Sequence, residues 1–377
     1  MKARLFPHGM LLRIKGRRSP HIVVTGQSHG LPYSKGLMAS SIMAAGLNPA
    51  QAFGVAEKIE QILNERGATE VSSAELRELA SSLLAEIDQR YADSYLNWQA
   101  VEELDVPLVI MIGGAAGVGK STIATQLAAR LGITRVISTD SIREVLRAGF
   151  SQELMPALYV SSFEADEIVR VRPPTSPYQG DLARPDRRAG YSLIVGFQEQ
   201  VSAVSVGIKA LIARALEEGT DIIVEGAHVV PGFLEGWEQE FKEAVLVPVV
   251  ITVSDEELHR FHFWYRAFDT RARRPRDRYL SGFDKIRTIQ RYITQLAVER
   301  GVPVLEMSEL DATLQEIGGI VVAKALDKAQ ARGETERVST PGSEPSENGG
   351  VVRRPKLERL KSWEFLGSRK RRNGEIA

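Results

Sequence analysis

The chain has 377 residues, of which 43% are apolar, enough for two domains or for one large domain with appendages. Its 48 Lys and Arg balance its 48 Asp and Glu, which excludes a whole-molecule electrostatic grip on nucleic acid. The absence of cysteine excludes a disulfide framework, zinc–thiolate and iron–sulfur sites, and thiol catalysis.

No apolar run approaches the roughly 18 residues that a membrane-spanning helix needs, and no signal-peptide core stands out, so a cytoplasmic location is expected. Residues 1–56 hold no Asp or Glu but carry Lys2, Arg4, Arg13, Lys15, Arg17, Arg18 and Lys35. A transit peptide shares that bias, yet Gly26, Gly30, Pro32 and Gly36 interrupt it and ordered segments follow. HIVVT (21–25) reads as a strand, and SKGLMASSIMAAG (34–46) and NPAQAFGVAEKIEQILNERG (48–67) read as helices closing at glycine. The apolar spacing of residues 72–104 predicts one further helix, with Ser72 and Glu75 as its capping box. Residues 1–104 are therefore expected to form a small α-rich domain.

From Pro107 the runs PLVIMI, RVIST, DIIVEG, LVPVVITV and VPVLEM alternate with helical stretches. That alternation predicts an α/β domain over 105–328, a mainly parallel sheet with helices on both faces. Residues 329–377 are expected to be a disordered tail, since the composition lacks periodicity. The tail is basic over 351–372, with nine Lys and Arg against two Glu, and its LERLKSWEFL stretch is weakly amphipathic. A solvated tail and a contact with RNA or membrane are both compatible with that composition.

GAAGVGKS (114–121) satisfies the phosphate-loop pattern G-x-x-x-x-G-K-[ST], with an apolar strand before it and a helix after it. The expected nucleotide-binding residues are Gly114, Ala115, Ala116, Gly117, Val118, Gly119, Lys120, Ser121 and Thr122. Their amides would wrap a phosphate chain at the positive end of the following helix. Lys120 would bridge the outer phosphates, and the Ser121 hydroxyl would hold magnesium.

VISTDSIREVLR (136–147) brings Asp140 to a strand's carboxyl end, where open α/β sheets collect ligands. Asp140 is then either a base for an attacking hydroxyl or an N-cap. Arg143 would face the same cleft and suit an anionic acceptor. In DIIVEGAHVVPG (221–232), Glu225 is an acid at the tip of a buried strand, a place for a carboxylate that holds a magnesium-bound water. His228 follows in the loop, as a substrate contact or a structural residue. ELHRFHFWYRAFDTRARRPRDRYL (257–280) holds seven Arg and two Asp between 259 and 278. Its readings are a solvated face, a nucleic-acid patch, or a mobile lid whose arginines stabilise a transferring phosphoryl group, with Arg266, Arg271, Arg273 and Arg274 as candidates.

Placed in this order, IGGAAGVGKSTIA, STDSIREVLR, IIVEGAHVVPG and HFWYRAFDTRARR resemble the 2-phosphoglycerate kinase family over roughly 105–310. The resemblance implies a P-loop kinase that makes 2,3-bisphosphoglycerate from ATP and 2-phosphoglycerate with Mg2+. It assigns Lys120 and Ser121 to ATP and magnesium, Asp140 to the acceptor hydroxyl, and Arg143 with the lid arginines to the acceptor's phosphate and carboxylate. No membrane or nucleic-acid partner is expected. Residues 23–63 resemble an ATP-cone, a regulatory nucleotide-binding module, in which Lys15, Arg17, Arg18 and Lys35 could meet phosphates. Two alternatives stand beside this reading: a P-loop kinase acting on another metabolite or RNA, and a sensor that binds nucleotide without turnover.

Overall fold

A polar residue stands ahead of each of the first three helices and supplies an acceptor for amides that have no partner inside the helix. The computed structural model describes residues 22–25, 31–104, 106–169, 185–269 and 276–338. The chain separates into two compact units, Met1–Leu96 and Asn97–Ala377. The first begins with β1 (Val23–Thr25), β2 (Leu31–Pro32), α1 (Lys35–Ala44), α2 (Pro49–Glu65), β3 (Glu70–Ser72) and α3 (Ser73–Ile87), and the division falls within α4 (Gln89–Glu103). Strand β1 lies between β2, antiparallel, and β3, parallel. Ile42, Leu47, Ile59, Leu63 and Leu84 are fully buried in the core of this unit.

Two expectations for this unit are corrected. The single helix over 72–104 is two, because Asp88 adopts an extended conformation (φ −164°, ψ 130°) and its carboxylate accepts from the Arg90 amide at 2.9 Å. The capping box at Ser72 is half made: its hydroxyl accepts from the Glu75 amide at 3.1 Å, while the Glu75 carboxylate pairs with Arg66. A complete box forms at Asn48, whose side chain and that of Gln51 each accept the other's amide. Lys35, one of the residues that could meet phosphates, pairs with Glu60 at 3.1 Å and lies 4.0 Å from Glu57. Lys15, Arg17, Arg18 and the tail beyond 338 lie outside the described residues.

The second unit follows the strand–helix alternation. Its elements are β4 (Leu108–Gly113), α5 (Lys120–Leu131), β5 (Val136–Ser138), α6 (Thr139–Gly149), α7 (Pro185–Glu217), β6 (Ile222–Glu225), α8 (Trp237–Glu240), β7 (Val245–Thr252), α9 (Glu256–Asp269), α10 (Arg276–Ser281), α11 (Phe283–Glu299), β8 (Val304–Glu306) and α12 (Leu310–Val338). The five strands run in the order β5-β6-β4-β7-β8, and each neighbouring pair is parallel. Every residue of β4 and β6 is buried, as expected for parallel strands covered on both faces. Val109, Met111 and Val224 share a core with Val204, Ile208 and Ile212 of α7.

Pairing register aligns what matters for function. Glu225 stands opposite Ile112 on β4 and Ser138 on β5, so the end of β6 is level with the residues just before the glycine loop and just before Asp140. The segment ahead of α7 folds into short 3-10 turns at Pro156–Tyr159 and Ser162–Ile168. The second turn lies so close to α7 that a Cβ on Gly196 would overlap the Ala165 carbonyl oxygen. Replacing Gly196 with valine overpacks this contact, at a cost of about 1–3 kcal/mol. The melting temperature followed by circular dichroism should fall by several degrees, at ~2–4 °C per kcal/mol; an unchanged value would contradict the close approach.

Candidate active site

The loop after β4 can bend as it does because its glycines reach backbone angles that other residues rarely adopt. Gly117 and Gly119 have φ of 83° and 87°, and Gly119 caps the N-terminus of α5, which begins at Lys120. Lys120 is buried and its Nζ donates to the carbonyl of Ala115 at 2.6 Å, inside the same loop. Burial pushes its ammonium pKa down, against the charges of Glu225 and Asp140, which favour the protonated form.

Glu225 is 6% exposed and accepts from the Ser121 hydroxyl at 3.0 Å. The two residues expected to serve a metal are thus in contact. A hydroxyl and a carboxylate form an oxygen-only pair suited to a hard divalent cation that takes its remaining ligands from phosphate and water. Among the described residues no group of three or more His, Asp or Glu side chains could hold a metal by itself. After Glu225 the chain turns at Gly226 (φ 151°), where any Cβ would collide with the Thr139 side chain.

Asp140 lies in the first turn of α6 and its side chain is 70% exposed. The cap of that helix is Ser138, whose hydroxyl accepts from the Ser141 amide at 3.1 Å, so the carboxylate of Asp140 is not used as a cap. Its charge acts on both Lys120 and His228. The side chain of Arg143 turns largely inward: Nη1 donates to the carbonyls of Leu158 (2.9 Å) and Val160 (3.3 Å), Nη2 to Glu144, and Nε lies 3.7 Å from Asp140. An Arg143 that presents its fork to an acceptor is therefore corrected to one that ties α6 to the 3-10 segment.

For His228 the geometry favours the structural one of its two readings over the substrate contact. The residue is 1% exposed, and both ring nitrogens are occupied by protein. Gln200 of α7 donates its amide to the carbonyls of Ala157 and Val160, which leaves its oxygen to accept from His228 Nε2–H at 2.9 Å. Nδ1 then accepts from the Thr139 hydroxyl at 2.8 Å. A substrate has no open nitrogen to reach, and the ring instead braces the turn after β6 against α6 and α7.

The lid-like segment divides. The backbone of Arg266 belongs to α9, but its side chain, and Arg271, Arg273 and Arg274 entirely, lie outside the described residues. Part of that segment that the arginine count obscured does meet the phosphate loop. His259 and His262 donate to the carbonyls of Ala116 (Nε2, 2.8 Å) and Gly117 (Nδ1, 2.9 Å). The Phe263 ring, 2% exposed, fills the space that a Cβ on Gly117 would need. The spacing i, i+3, i+4 puts these side chains on one helical face, and it is the signal that could have found them. Phe263 stacks on His259 and Tyr279 with centroids 5.4 and 5.1 Å apart.

Residues 109–280 match the family described as an AAA domain. A "2-phosphoglycerate kinase" of Methanothermobacter thermautotrophicus is 38% identical over 310 residues, which cover 82% of this chain and 95% of that protein. The chain belongs to the 2-phosphoglycerate kinase family. A relative so named from Methanopyrus kandleri is 36% identical over 81% of the chain and 88% of its own length, and one from Thermococcus kodakarensis is 40% identical over 76% and 91%. Membership of the 2-phosphoglycerate kinases agrees with the parallel sheet and the loop between β4 and α5. No described helix is long and apolar enough to cross a membrane.

Burial depresses the imidazoles of His228 and His259 to about 4 in the fold, against about 6.5 in an unfolded chain. Between those values the unfolded chain binds more protons than the folded one, so stability is full above pH 6.5 and declines as pH falls toward 4. The melting temperature should drop between pH 7 and pH 5, with both rings neutral by NMR at pH 5.5. A midpoint near 6.5 for either ring would contradict its burial.

Proposed function

We propose that this chain transfers the γ-phosphoryl group of ATP to the 3-hydroxyl of 2-phosphoglycerate, giving ADP and 2,3-bisphosphoglycerate. The observation that carries the reading is the convergence of Lys120, Ser121, Glu225 and Asp140 at the carboxyl ends of three adjacent strands, in a member of this family. The loop from Gly114 to Thr122 would hold the triphosphate through backbone amides, with the Lys120 ammonium between the outer phosphates once it leaves the Ala115 carbonyl. Asp140 would accept the proton of the attacking hydroxyl as the new P–O bond forms and the bond to the β-phosphate oxygen breaks. Mg2+, held through Ser121 and Glu225, would neutralise charge on the outer phosphates.

Some 2-phosphoglycerate charge must also be met, about three negative charges near neutral pH from its phosphate and carboxylate. Arg266, Arg271, Arg273 and Arg274 are the groups assigned to that task, since Arg143 is committed to backbone carbonyls. Guanidinium forks suit both anions, and a closing segment would keep water from the phosphoryl group. Residues 1–104 we read as an ATP-cone-like regulatory domain and residues 105–328 as the kinase domain; the tail expected from 329 is corrected to begin no earlier than the end of α12 at Val338.

Purified chain incubated with ATP, Mg2+ and 2-phosphoglycerate should form ADP and 2,3-bisphosphoglycerate in equal amounts. ADP formed at the same rate without acceptor would indicate an ATPase instead, and no turnover with bound ATP would indicate a sensor. Lys120→Ala should abolish transfer with the fold intact by circular dichroism. Asp140→Asn should retain ATP binding but slow transfer by ~100-fold or more, the usual scale for a positioned base; an unchanged rate would remove that role.

A further inference from the structure

A trans peptide unit is planar, and its C=O and N–H point in opposite directions. Fixing one carbonyl therefore fixes the amide hydrogen of the next residue. His259 holds the carbonyl of Ala116 and His262 that of Gly117, so the amides of Gly117 and Val118 are turned away from α9. Those amides belong to the glycine loop that leads into Lys120 and Ser121 at the start of α5, and Lys120 Nζ already donates to the Ala115 carbonyl of the same loop. We propose that His259 and His262 are positioning residues for ATP: they set the loop so that two backbone donors face the phosphate chain before the nucleotide arrives.

The chemistry of each ring supports this. A carbonyl oxygen only accepts, so His259 must carry its proton on Nε2 and His262 on Nδ1. For His259 the other nitrogen faces Arg287 Nη1 at 3.5 Å, consistent with a lone pair there, and Arg287 is itself held by the Ser254 carbonyl at 3.0 Å. Behind the two rings, Phe263 stacks between His259 and Tyr279 and meets Phe283 edge-on, which keeps the helical face against the loop. Donors already oriented lose little freedom when the anion binds, so affinity is gained without new contacts.

The inference rests on the reading that this loop binds ATP. Its test exploits the different ring nitrogens. The amide nitrogen of asparagine falls near the position of Nδ1, and that of glutamine near Nε2. Kd for ATP with Mg2+ is measured by calorimetry on the full chain, together with KM for each substrate. His262→Ala should weaken ATP binding by about tenfold, the scale of one well-placed hydrogen bond, and leave KM for 2-phosphoglycerate unchanged. His262→Asn should recover most of the loss and His262→Gln should not. At His259 the order should reverse, with Gln recovering and Asn failing. His262 is only half-buried, so its variants keep the test available if His259→Ala unfolds. Equal losses for Asn and Gln at His262, or an unchanged Kd in His262→Ala, would overturn the inference alone. Failure of the unsubstituted chain to bind ATP would overturn the functional reading and this inference with it.

Discussion

Opposite charges held out of water at the tips of neighbouring strands organise this protein. Lys120 and Glu225 are both largely buried, and neither could remain charged there without an opposite charge or hydrogen-bond partners close by. The pairing of β4 with β6 brings their strand ends level, Ser121 bridges to the carboxylate, and Asp140 adds a second negative charge from the end of β5. A slip of one residue in that register would send Glu225 to another face of the sheet and leave the lysine isolated. Everything catalytic in the second unit depends on the register being kept.

Around that centre lies a layer of side chains whose polar atoms are taken up by other protein groups. Thr139, His228 and Gln200 form a chain of hydrogen bonds from the start of α6 to the middle of α7, and Gln200 continues it to Ala157 and Val160. Arg143 donates to the same short segment, at the carbonyls of Leu158 and Val160. Residues that look like ligands by type are here bonded to protein groups and tie α6, α7 and the 3-10 segment together.

The sequence made the sheet and the glycine loop readable because their signals are local. A buried parallel strand is a run of apolar residues, and a phosphate loop has few side-chain options. What escaped was either very short or decided by distant partners. β3 is three residues long. The break at Asp88 sits inside an apolar repeat that continues on both sides, and only the turn of its carboxylate onto Arg90 ends the helix. The burial of His228 comes from Gln200, 28 positions earlier on another helix, which no spacing rule connects to it. In 257–280 the density of arginine drew attention to charge, whereas the contacts with the loop are made by two histidines and a phenylalanine.

The fit of Phe263 against Gly117 also limits how the two segments can diverge. On one side the loop needs bare backbone for its anion, and on the other an aromatic ring already occupies the only room for a methyl group. A side chain at Gly117 would meet the Phe263 ring and would also have to adopt a φ of 83°, so trimming α9 alone would not make room for it. Grafting either segment alone into a distant homologue would leave a gap or a clash beside the triphosphate.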